Sequence, residues 1–150
     1  YANQRVAIVD EASMDVRPVE VRPKKQYVCH PDHRNRTPGK SRWTIIPADE
    51  RRCFGRAVDE GWVSEVDGWG LHIMDAAPQY LGIASDESTR LFIAKFRNDS
   101  TPTVCHGYPA DYQRRNEDFP PQHVLSAWGK GSLLSKAKLR KIIRGQACAL

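Results

Sequence analysis

Two stretches of this 150-residue chain hold side chains that can move protons or bind charge. In Val104-Cys105-His106-Gly107-Tyr108-Pro109-Ala110-Asp111-Tyr112 a strand-like run delivers a histidine into a glycine-containing exit, followed by a proline and a carboxylate. Histidine titrates near neutrality and can take or give a proton, tyrosine can donate one, and an aspartate can fix an imidazole tautomer. On a strand His106 and Tyr108 share one face, and neighbouring strands could add His72, Lys95 or Arg97 to it. A histidine beside such cations suits RNA cleavage, in which a base removes the 2′-hydroxyl proton while cations offset charge building on the phosphate oxygens. That chemistry requires no metal. His106, Tyr108, Asp111, His72, Lys95 and Arg97 are therefore the catalytic candidates; the alternative is a tight strand exit with a hydrogen-bonded histidine and a packed tyrosine.

The second stretch is Cys29-His30-Pro31-Asp32-His33, a loop that continues through Arg34 and Arg36. Its histidines beside guanidiniums could act on a phosphate, or Cys29, His30 and His33 could ligate zinc if the loop met Cys105-His106 or Cys53. A solvated loop is the plain alternative. The four cysteines, at 29, 53, 105 and 148, have no Cys-x-x-Cys spacing, so Cys53, Cys105 and Cys148 also read as small buried hydrophobes. Such dispersed cysteines fit a reducing, cytoplasmic setting; a secreted toxin domain is the other option. No Gly-x-Ser-x-Gly elbow, phosphate-binding loop or dinucleotide turn occurs, which disfavours serine hydrolases and nucleotide cofactors.

Charge is segregated. Residues 57–90 hold seven acids and one base, whereas residues 130–150 hold six bases and no acid, within a net charge of +5. Arg34, Arg36, Lys40 and Arg42 in the loop, with Lys136, Lys138, Arg140, Lys141 and Arg144 near the end, are candidates to neutralise nucleic-acid phosphates. RNA is favoured over DNA as the partner; the same basic ends could instead dock a protein.

These residues need elements to place them. Apolar and charged fractions of 40% and 27% suit one folded domain of 1–150, and no apolar run approaches the roughly 20 residues that span a bilayer. Residues 1–47, with prolines at 18 and 23, read as an extended arm or edge strand leading into the basic loop. Residues 48–60, with acids in the first turn and Gly61 behind, read as an amphipathic helix. Residues 62–66 and 69–74 around Asp67-Gly68 read as a hairpin, and 89–96 with 103–108 as a second strand pair. Residues 119–145 read as two helices joined by a glycine turn, the second capped by Ser135. The expectation is an α+β fold: an N-terminal arm, a helix and an antiparallel four-strand meander over 48–110, then a helix pair.

The helix, meander and basic end over residues 48–110 resemble the small α+β ribonucleases of the barnase and RelE toxin type. The resemblance implies metal-independent cleavage on an exposed sheet face by a nucleic-acid-directed, RNA-cleaving or RNA-binding domain of bacterial-toxin type. The alternatives are a non-catalytic protein-docking module and a helix-turn-helix DNA binder, for which the 122–144 spacing would also serve.

Overall fold

The computed structural model describes residues 4–10, 15–21, 26–99 and 103–149. The arm folds back as an antiparallel ribbon of β1 (Gln4–Asp10) and β2 (Asp15–Val21), with Pro18 opposite Ala7. Pro23 lies outside the described residues.

Helix α1 (Pro47–Glu60) forms where expected. Pro47 supplies a helical φ at the first turn, Asp49 and Glu50 face the positive helix end, and Gly61 closes it at φ 75°. The Trp62 N–H returns to the Ala57 carbonyl at 2.8 Å, completing a Schellman-type stop. Its buried side is Glu50, Cys53, Phe54 and Ala57. After Pro121, α2 (Gln122–Lys130) buries Val124, Leu125 and Trp128, and α3 (Lys136–Ile143) starts at Ser135, whose hydroxyl accepts from the Lys138 N–H at 3.2 Å.

The expected four-strand meander is not formed. The main sheet is five-stranded and mixed, built from β3 (Gln26–Tyr27), β5 (Asp67–Met74), β6 (Ala77–Gln79), β9 (Ile93–Asn98) and β10 (Val104–Pro109), in the order β3-β10-β9-β5-β6. β3 runs parallel to β10 and the other neighbours are antiparallel. A second sheet of β4 (Arg42–Trp43), β7 (Gly82–Ile83) and β8 (Arg90–Leu91) has the order β4-β7-β8.

The hairpin expected at Asp67-Gly68 is absent because those residues open β5, and residues 62–66 contribute only the Val63–Gly68 bridge. Packing explains it. A methyl on Gly68 would meet Val63 Cγ1 at 3.3 Å, and one on Gly70 would meet Phe96 at 3.0 Å and the Cys53 carbonyl of α1 at 3.1 Å. Gly70 lets the helix approach the sheet and Gly68 makes room for Val63; the turn comes later, at Asp75 and Ala76, with φ of 51° and 64°. The element order behind the likeness to barnase and RelE toxins falls with the meander. On the sheet face opposite α1, Trp69, Leu71 and Ile93 join Val124, Trp128 and Ile142 in the core.

Candidate active site

The register of the three central strands sets two rows of side chains on the sheet face away from α1. His106 lies opposite Arg97, which lies opposite Asp67; Tyr108 lies opposite Lys95, which lies opposite Trp69. Alternation puts all six on one face.

The inner row is closed over by the chain at 116–118. Lys95 Nζ donates to the Glu117 carbonyl and sits 5.6 Å above the Trp69 ring. Tyr108 donates its hydroxyl to Asp118 Oδ1 at 2.7 Å, and Asp118 Oδ2 accepts from the Asp111 N–H at 2.8 Å. Trp69 Nε1 donates to the Asp118 carbonyl at 3.2 Å. Burial, then the bond to Asp118, pushes the Tyr108 hydroxyl well above the usual phenol range, and burial lowers the Lys95 ammonium. These groups hold structure. The Asp111 carboxylate is engaged by Arg114 at 2.9 Å, and Arg114 also reaches Asp86 at 2.7 Å. Tyr108, Lys95 and Asp111 are thus withdrawn from the exposed row that carries His106.

The outer row is open to solvent and gains residues from the basic loop. Parallel pairing of β3 with β10, extended by the Val28 N–H to the Cys105 carbonyl at 2.8 Å, lays the loop beside His106. The His30 and His106 rings stand 5.7 Å apart between centroids. His106 Nδ1 donates to Asp99 Oδ1, an arrangement that leaves Nε2 as the free lone pair. His30 Nδ1 accepts from the Asp32 N–H at 3.3 Å and so caps a 3₁₀ turn at Pro31–His33, while Asp32 Oδ2 stands 3.8 Å away. Both rings remain accessible, with side-chain exposures of 42% and 25% for His30 and His106. Arg97, next to His106, is 3.5 Å from Asp67 and half-exposed.

The two sequence candidates therefore meet at one place. His33 belongs to its floor: the ring is buried, stacks on Tyr108 at 5.1 Å and 20°, and donates Nδ1–H to the Ser41 carbonyl at 2.9 Å. Burial holds its imidazole below the usual histidine value. Cys29 is half-buried, and burial followed by the nearby Glu50 carboxylate raises its thiol. Among the described residues no group of three or more His, Cys, Asp and Glu is placed to hold a metal ion. His72 projects to the opposite face, into a groove between α1 and β5 beside Arg52, Arg56 and Asp59.

The basic candidates divide. Arg34 is spent on Glu50 and the Ile45 carbonyl, and Arg42 pairs with Glu87 at 3.1 Å. Arg36 and Lys40 are exposed on the loop. Lys136, Arg140, Lys141 and Arg144 are exposed on and after α3 with Lys138 half-exposed, and no ion pair joins any of them to a described carboxylate.

Two residues escape a reading of the sequence. Asp99 sits in the connection between β9 and β10, and only their pairing, with the Asp99 N–H on the Val104 carbonyl at 2.7 Å, returns it to His106. Glu50 reads as a first-turn acid, yet it is wholly buried. The fold and site define an α+β chain with a histidine–carboxylate cluster on an open sheet face; among the described residues no helix is long and apolar enough to cross a membrane. Comparison with protein-family models, with curated proteins and with solved structures finds no match to this chain.

Proposed function

We propose that this chain cleaves RNA without a metal, using His106 and His30 as the proton-transfer pair. The observation that carries the reading is their meeting: two accessible imidazoles, one from the basic loop and one from β10, 5.7 Å apart, the second held by a carboxylate and flanked by Arg97. With Nδ1–H on Asp99, neutral His106 offers Nε2 to take the 2′-hydroxyl proton as that oxygen attacks phosphorus. His30, when protonated, exchanges the Asp32 amide at Nδ1 for the Asp32 carboxylate and offers Nε2–H to the leaving 5′-oxygen. Arg97 offsets charge on the non-bridging oxygens, and Arg36 and Lys40 on the same loop would hold flanking phosphates. Tyr108, Asp111 and Lys95 brace this face from beneath, and His72 lies off it.

The test incubates purified protein with labelled single-stranded RNA and with DNA of the same sequence, with and without EDTA, beside His106→Ala and His30→Ala. Cleavage of RNA alone, leaving 2′,3′-cyclic phosphate ends, surviving EDTA and dropping about 10²–10⁴-fold in each variant, is expected. Absence of cleavage by folded protein, loss with EDTA, or full activity in both variants would overturn the assignment.

A further inference from the structure

Helices α2 and α3 leave a groove between them, about 390 Å³ in volume, whose walls are Leu125, Leu139 and Ile143 with Gln122, Lys130 and Lys136 at the rim. Leu125 is buried, Leu139 half-buried, and Ile143 is 53% exposed. The described residues 145–149 run elsewhere: the Gln146 carbonyl accepts from the Tyr112 hydroxyl at 2.6 Å, and Cys148 lies in a different cleft beside Tyr112. The groove is thus an open aliphatic strip in a region of six bases and no acid.

Two kinds of partner carry negative charge, and the floor decides between them. A nucleic acid laid in a groove gains from aromatic faces on which bases stack, at about 1–3 kcal/mol each. Among the described residues no aromatic side chain lines this groove. Aliphatic walls at helical spacing with a charged rim are instead what an amphipathic helix needs, its apolar stripe entering the groove and its flanks meeting the rim charges. We infer that the α2–α3 groove docks an acidic amphipathic helix of a partner protein, with Leu139 and Ile143 receiving its apolar stripe and Lys130 and Lys136 its carboxylates. This surface is independent of the histidine cluster.

The probe is a fluorescein-labelled 18-residue peptide with leucine at i, i+3, i+4 and i+7 spacing and glutamate elsewhere on its polar face. Its controls are the same peptide with leucines changed to glutamine, the same with glutamates changed to lysine, and a labelled single-stranded RNA. Anisotropy should show saturable binding of the first peptide alone among the three, weakened about tenfold by Ile143→Glu and by the pair Lys130→Glu, Lys136→Glu. Ile143 and both lysines are solvent-facing, so unchanged circular dichroism and melting temperature would certify the fold of each variant. Binding of the glutamine control as tightly as the leucine peptide would reduce the surface to bare charge and overturn the proposal. So would the absence of saturable binding, or binding unaffected by Ile143→Glu. RNA binding lost in the lysine variants while the peptide fails to bind would assign the face to nucleic acid instead.

Discussion

Arg34 reaches the fully buried Glu50 through Nε at 3.2 Å and Nη2 at 2.5 Å, while Tyr27 donates its hydroxyl to the other carboxylate oxygen. This trio fastens the 28–41 loop to α1, and His30 rides on that loop. Removing one member of a buried pair costs about 3–5 kcal/mol, and because Arg34 is partly exposed Arg34→Met is expected to cost about 2–3 kcal/mol. RNA cleavage should fall with it, since His30 loses its placement. Urea unfolding measures the first effect; a change under about 0.5 kcal/mol would mean that backbone bonds alone hold the loop.

Asp118 is the pin of the inner row. Asp118→Ala strands the Tyr108 hydroxyl and the Asp111 N–H in a buried place, at about 1–3 kcal/mol each. Tyr108→Phe removes one of those bonds and should cost about 1–2 kcal/mol with kcat unchanged. A Tyr108→Phe protein of native stability that lost turnover would return Tyr108 to the catalytic set.

Asp99 is predicted to be a positioning residue. Asp99→Asn keeps the shape but can present an N–H to His106 Nδ1, which favours the wrong tautomer and buries the basic lone pair against the amide. Cleavage should drop about 10²-fold or more in kcat, with KM little changed. Asp99→Glu should restore part of the rate, which a purely structural role would not require. Equal rates for Asp99→Asn and the parent chain would remove the dyad from the mechanism.

How far these relationships were legible differs by element. α1 and both C-terminal helices announce themselves through local signals: Pro47 and Gly61 at the ends of one, and the Ser135 hydroxyl at the start of another, act within a turn of where they stand. The pairing of 93–98 with 104–109 is also local in kind. Asp67-Gly68 misleads because a glycine serves two purposes, and at Gly68 and Gly70 close approach of packed neighbours outweighs turn propensity. Both histidine-bearing segments stand out by composition, yet their meeting depends on Gln26 pairing parallel with Val104, a contact between distant strands that no local pattern encodes. The same limit hid Glu50, whose buried role depends on Arg34 and Tyr27 arriving from elsewhere.

His33 gives the fold a pH dependence of definite sign. Burial against Tyr108 holds its folded-state titration below the ordinary value of 6.5. As pH falls through that value the unfolded chain takes up a proton that the folded chain refuses, so stability declines, and it levels off once pH passes below the lowered folded value. The slope contributed by one such group is at most about 1.4 kcal/mol per pH unit. His33→Phe keeps a ring on Tyr108 but removes the titration and the bond to the Ser41 carbonyl. The variant should be less stable than the parent at roughly pH 7.5, with the gap narrowing as the buffer is acidified towards roughly pH 5, where only the parent carries the cost of charging a buried imidazole. Urea midpoints taken across that range on both proteins decide it. Parallel curves would show that His33 titrates alike in the folded and unfolded chains, which would require water to reach the ring despite its stack on Tyr108.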